Sequence, residues 1–139
     1  MAYAHLDAIL NPPDPHGIFL GSRPVRGKEL FRHEVIVDTR WFRPRPVVYE
    51  QTERGFRRVP LREAGPLTIT AKAPDTDVAG ERLRRVAENP PPYNAATDNC
   101  QHVAREVVLG RRESPDVRGV GALVFGGLLF AALSSRPKK

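Results

Sequence analysis

The chain of 139 residues has a single cysteine, Cys100. One cysteine excludes a disulfide within the chain, and the first residues lack the pattern of a cleavable signal, so we expect a reducing compartment such as the cytosol. Aromatic residues make up only 7% of the chain and are not interleaved with its arginines, so the sequence also lacks the pattern of a dedicated RNA-binding groove. The net charge of +6 nevertheless suits an anionic surface, such as phospholipid headgroups or nucleic acid.

The length fits one domain with a modest core. Residues 1–22 are predicted to form a loop-rich arm, because the run Asn11-Pro12-Pro13-Asp14-Pro15-His16-Gly17 removes backbone donors and breaks helices. We place the domain at residues 23–118. A hydrophobic tail with a basic end follows at residues 119–139.

The tail is uncharged and mostly apolar up to residue 135. Its length is at the lower edge of what spans a bilayer as a helix. Three interpretations stay open: a short membrane anchor with a basic flank, a hydrophobic hairpin, and a core helix of the same domain. Its glycines weaken a helix in water but are tolerated in membranes, so we favour membrane association.

The middle of the domain has the pattern of a small antiparallel sheet. Alternating and β-branched residues predict strands over residues 30–38, 47–51, 56–60 and 67–71. The period then becomes helical, with Asp77 placed to cap a helix that the prolines after Asn89 end. A second helix is predicted to begin at Asp98 or one residue earlier and to end at Gly110. The sequence therefore predicts an α+β fold.

Cys100 falls in the first turn of the second predicted helix. Unpaired backbone N–H groups and the helix dipole favour a thiolate at such a position. A nearby base is needed, and His102 is unsuitable because residues two apart on a helix point about 200° away from each other. His33 is the better candidate, since it lies on the first strand of the sheet that this helix should cover. We expect His102 to be structural or to face a partner.

Several of these segments resemble a known family. The strand from Phe31 to Val37 that contains His33, the segment from Gly55 to Leu61, and Tyr93 followed by Asn99-Cys100-Gln101-His102 look like the H-box and NC motifs. These motifs mark the lecithin:retinol acyltransferase-like proteins of the permuted papain-like class. The resemblance covers residues 23–133, and it implies a permuted papain-like sheet packed by the NC helix. It also implies that His33 is the general base, that Cys100 is the nucleophile, and that backbone near Cys100 holds the oxyanion.

The chain departs from the family at the next strand, where family members carry a further polar residue, commonly a second histidine, that orients the first. Residues 47–51 contain no histidine. We expect Tyr49 or Gln51 to be the orienting residue in its place.

The compact domain, its richness in proline and arginine, and the tail directly after it also resemble the H-box/NC type of 2A protein of picornaviruses such as kobuviruses and parechoviruses. That resemblance implies a non-proteolytic protein of the host cell cytoplasm, membrane-associated in one interpretation, which supports viral RNA replication by binding host proteins or membrane lipids. RNA binding through the basic surface is a further option. In that case the pair of Cys100 and His33 is weakly active or inactive.

The alternative is an enzyme, a Cys-His thiol acyltransferase, phospholipase or isopeptide hydrolase. His33 then takes the proton of Cys100, and the thiolate attacks a carbonyl group. Neither a cofactor nor a metal is expected in either case.

Overall fold

The computed structural model describes residues 16–25, 27–40, 46–95 and 98–118. These residues contain five strands and two helices longer than one turn, with a short 3-10 turn at Leu61–Glu63. The strands are β1 (Ile18–Val25), β2 (Lys28–Asp38), β3 (Val47–Thr52), β4 (Gly55–Pro60) and β5 (Thr68–Lys72). The helices are α1 (Thr76–Glu88) and α2 (Cys100–Leu109). The predicted α+β class is confirmed.

The strands form one antiparallel sheet in the order β4-β3-β2-β1-β5. Side chains along each strand alternate between the two faces of the sheet, and both faces are covered. One face packs against α1 and α2, and its buried apolar strand residues are Ile18, Leu20 and Ile36. The opposite face packs under residues that follow β4, and its buried apolar residues are Phe19, Val35, Val37, Val48, Leu61, Ala64 and Leu67. We call these the helix face and the opposite face.

The prediction of a loop-rich arm through residue 22 is wrong for residues 18–22, which form most of β1. β1 lies between β2 and β5 and is buried on both faces, so Ile18, Phe19 and Leu20 are consecutive apolar residues. A strand buried on both faces lacks the alternation by which the other strands were recognised. The predicted boundary between arm and domain therefore falls inside β1.

Both helices begin close to their predicted positions but with different caps. Asp75, not Asp77, caps α1 by accepting a hydrogen bond from Val78 N. Asn99 caps α2, which therefore begins at Cys100, two residues after the predicted start at Asp98. Gly110 ends α2 in the left-handed conformation, at φ 69°, as predicted. Cys100 is the first residue of α2, so the prediction that it lies in the first turn is confirmed.

The proline-rich segment before residue 16, residues 41–45 of the connection between β2 and β3, and the hydrophobic tail at 119–139 lie outside the described residues. Neither of the two helices in the described part of the chain is long and apolar enough to cross a membrane.

Candidate active site

Four ionisable side chains lie in a row across four neighbouring strands. The register pairs Arg23 of β1 with His33 of β2, and Glu50 of β3 with Arg57 of β4. The ladder between β2 and β3 ends before it reaches either His33 or Glu50. Alternation places all four on the opposite face of the sheet. We call Arg23, His33, Glu50 and Arg57 the charged row.

Glu50 is the centre of the charged row. Its side chain is only 1% exposed, and its Oε2 accepts hydrogen bonds from His33 Nε2 at 2.5 Å and from an Arg23 nitrogen at 3.0 Å. Its Oε1 accepts a hydrogen bond from Arg57 Nε at 2.6 Å. A buried carboxylate is stable only where charged donors occupy its oxygens. These three contacts meet that requirement and fix the ring of His33.

Cys100 lies beside the same imidazole. The Cys100 side chain raises the pKa of His33 through hydrogen bonding and charge, so the thiol lies close to the ring. Nε2 of His33 is bonded to Glu50, so Nδ1 is the ring nitrogen that remains for the sulfur. Cys100 is partly exposed, so a substrate can reach the thiol. The structure thus brings Cys100, His33 and Glu50 together, with His33 between the other two.

The prediction that Tyr49 or Gln51 orients His33 is wrong, because that contact is made by Glu50 between them. Neighbouring residues of a strand point to opposite faces, so Tyr49 and Gln51 share the helix face whereas Glu50 shares the face of His33. The Tyr49 ring stacks on Phe56 with centroids 5.9 Å apart. The alternation of side chains along the strand indicates Glu50 for this role. Glu50 is two residues after Val48, a core residue of the opposite face, and so points to the same face as Val48.

The charges of His33 and Glu50 stabilise each other. Burial lowers the pKa of His33, but the hydrogen bonds with Cys100 and Glu50 and their negative charges outweigh it and raise the pKa to about 9. Burial raises the pKa of Glu50, but the hydrogen bonds from His33 and Arg57 outweigh it and lower the pKa to about 2. At neutral pH the pair is therefore an imidazolium and a carboxylate.

The turn that carries Cys100 is fixed by buried polar side chains. Asn99 Oδ1 accepts hydrogen bonds from the backbone N–H groups of Gln101 and His102, and Asn99 Nδ2 donates to Ala95 O and Ser114 Oγ. The ring of His102 donates from Nδ1 to the same Asn99 oxygen at 3.0 Å, and burial lowers the pKa of His102. His102 therefore supports the cap as a neutral ring.

Gln51 holds the segment that leads to Cys100. Its Nε2 donates to Pro91 O at 2.8 Å and to Asp98 O at 3.5 Å. Among the buried side-chain nitrogen and oxygen atoms in the described part of the chain, only its Oε1 has no hydrogen-bond partner. An unsatisfied buried acceptor costs about 1 to 3 kcal/mol. Consecutive residues of β3 thus hold the two halves of the site, since Glu50 holds His33 and Gln51 holds the approach to Cys100.

Two aromatic side chains border the site. Burial and then the negative charges at Cys100 and Glu53 raise the pKa of Tyr93, so its phenol is neutral at physiological pH and able to donate a hydrogen bond. Phe31 is two residues before His33 on β2 and so shares its face, and its side chain is exposed. Tyr93 therefore offers a polar donor near the thiol, and Phe31 offers an exposed apolar surface on the face of His33.

No protein-family model, curated protein or solved structure matches the chain. The resemblance to H-box/NC proteins stays a prediction. Across residues 16–25, 27–40, 46–95 and 98–118, no group of three or more histidine, cysteine, aspartate or glutamate side chains is arranged to hold a metal ion.

The pair of His33 and Glu50 predicts how stability depends on pH. The pKa of His33 is raised from 6.5 to about 9. Its contribution to the unfolding free energy is therefore fully present below pH 6.5 and is lost as the pH rises through 9. The pKa of Glu50 is lowered from 4.5 to about 2. Its contribution to the unfolding free energy is therefore fully present above pH 4.5 and is lost as the pH falls through 2. Denaturant unfolding is measured at pH 6.5 and at pH 9. Between these two pH values, the unfolding free energy should fall less in Glu50→Gln than in the wild type. The exposed Glu63→Gln is the control, and an equal loss in all three proteins would contradict the pairing.

The contacts of Gln51 lead us to expect that its apolar variant is more stable than its charged one. Gln51→Leu removes the donor but also the unsatisfied acceptor, so we expect the unfolding free energy to change by less than about 1 kcal/mol. Gln51→Glu should cost more than about 2 kcal/mol, because it buries a carboxylate that faces two carbonyl oxygens. Chemical denaturation measures both variants. A larger loss for Gln51→Leu than for Gln51→Glu would contradict the assigned contacts.

Proposed function

We propose that the protein is a thiol-dependent acyltransferase or hydrolase, with Cys100 as nucleophile, His33 as general base and acid, and Glu50 as the positioning residue behind His33. The single observation that carries the proposal is that His33, which is hydrogen-bonded to the buried Glu50, also lies close enough to Cys100 for the two side chains to interact. A nucleophile, a base within hydrogen-bond reach and a third group that orients the base are the parts that nucleophilic catalysis requires.

In the first half of the reaction, the proton of the Cys100 thiol is held by the imidazolium of His33, and Cys100 reacts as a thiolate. The sulfur then forms a bond to the carbonyl carbon of an ester, thioester or amide, and the electron pair of the C=O bond moves to its oxygen. When the tetrahedral intermediate collapses, the bond to the leaving group breaks and His33 gives it the proton. The product is an acyl thioester on Cys100.

The helix N-terminus supplies a donor for the negative oxygen of the intermediate. Asn99 takes the N–H groups of Gln101 and His102 with its side chain, and that of Val103 with its carbonyl oxygen. The N–H of Cys100 itself is not taken by Asn99 and lies next to the reacting sulfur. A backbone N–H at this position, together with the helix dipole, stabilises an oxyanion.

In the second half, an amine or water attacks the thioester. His33 removes the proton of the attacking group, the new bond to the carbonyl carbon forms, and the C–S bond breaks. The sulfur leaves as a thiolate beside the protonated His33. Glu50 keeps the ring in place throughout, because its other oxygen is held by Arg57 and cannot follow a rotation of the imidazole.

The binding role in viral RNA replication stays a prediction, as do the host partners and the host cytoplasm. In that interpretation Cys100 and His33 are structural. The enzyme interpretation is the better supported by the site, because a purely structural cysteine needs neither partial exposure nor a hydrogen bond to a protonated imidazole.

Acyl-enzyme formation tests the proposal. Incubation with p-nitrophenyl butyrate should give a butyryl adduct on Cys100, seen by intact mass spectrometry and released by hydroxylamine. Cys100→Ser should lose the adduct, and Glu50→Gln should form it roughly 10- to 1,000-fold more slowly, because a disoriented base removes much of general base catalysis. Glu63→Gln should react like the wild type.

Two results would overturn the proposal. One is a wild-type protein that forms no adduct with ester, thioester or activated amide probes. The other is an adduct that forms as fast in Glu50→Gln as in the wild type, because the assigned chain of contacts would then have no chemical consequence.

A further inference from the structure

The charged row contains more positive than negative charge. Three cationic side chains, His33, Arg23 and Arg57, contact the one carboxylate of Glu50. Even when Cys100 is counted as a thiolate, three positive groups face two negative ones. A site that only had to keep Glu50 ionised would need fewer cations, since His33 and Arg23 already occupy its Oε2.

Arg57 is the most exposed member of the charged row. Its side chain is 57% exposed, whereas that of Arg23 is 29% exposed and also donates to Ala64 O. Arg57 lies on β4, which is an edge strand of the sheet that the described residues form. Its contact with Glu50 uses Nε and one terminal nitrogen, which leaves the other terminal nitrogen for a second partner. The fork of a guanidinium is well suited to carboxylate and phosphate oxygens.

We propose that Arg57 forms a subsite for an anionic group, a carboxylate or a phosphate, carried by the acyl substrate. Arg57 thereby selects charged acyl donors over neutral ones of the same shape. The inference rests on the proposed thiol chemistry, since the subsite lies in the same row as His33. Net positive charge at the site also attracts an anionic substrate before it binds, and this attraction weakens with salt.

The test distinguishes two roles of Arg57, the binding of an anionic substrate and the support of the Glu50 carboxylate. The wild type, Arg57→Gln and Arg58→Gln are assayed with three nitrophenyl esters: neutral butyrate, hemiglutarate with a carboxylate on the acyl part, and butyrate with a carboxylate on the phenyl ring. Arg58 is the matched control, because it is an exposed arginine on the same strand that points to the other face. Inorganic phosphate is added as a competitor.

We expect kcat/KM of the wild type to favour at least one of the two anionic esters over the neutral one by about 10-fold or more at low salt. Arg57→Gln should reduce that ratio about fivefold or more, mainly through KM, and Arg58→Gln should leave it unchanged. The ester that is favoured shows whether the charge belongs to the acyl part or to the leaving group. Inhibition by inorganic phosphate that Arg57→Gln relieves would indicate a phosphate-bearing donor.

If Arg57 only supports Glu50, Arg57→Gln slows all three esters by the same factor and the ratio stays constant. That result, or a wild type that does not distinguish the esters, would overturn the subsite. Absence of turnover of every ester would instead refute the proposed function, so the two failures are distinguishable.

Discussion

The burial of Glu50 is the constraint on which the rest of the site depends. A carboxylate with a side chain only 1% exposed must have charged donors on both oxygens, because a buried charge without partners costs several kcal/mol. His33, Arg23 and Arg57 supply those donors from three different strands. Removing any of them leaves part of the carboxylate unsatisfied, so the position of His33 is coupled to the register of the whole sheet.

The same strand also fixes the other half of the site. Gln51 points to the helix face and holds the segment before Cys100, so a displacement of β3 moves the base and the approach to the nucleophile together. The cap at Asn99 and the buried Ser114 then hold the first turn of α2. Pre-organisation of this kind places reacting groups within contact distance before the substrate arrives.

Much of this arrangement could be predicted from the sequence. The four later strands, the two helices and the position of Cys100 followed from periodicity and from turn and cap residues. Strand β1 escaped recognition because it is buried on both faces and so shows no alternation. The family pattern, in which a histidine commonly orients the first, does not predict Glu50, although a carboxylate accepts a hydrogen bond from an imidazole equally well. The charged row as a whole could not be predicted, since it depends on the register within two hairpins and on side-chain contacts between β2 and β3 beyond the end of their ladder.

The central claim is that Glu50 holds His33 as a protonated, oriented ring next to Cys100. Titration of the His33 ring by NMR tests it most directly, with the resonance assigned by its loss in His33→Gln. The account predicts a pKa of about 9 in the wild type and a clearly lower pKa in Glu50→Gln. A wild-type His33 that titrates at or below 6.5, the ordinary pKa of histidine, would contradict it.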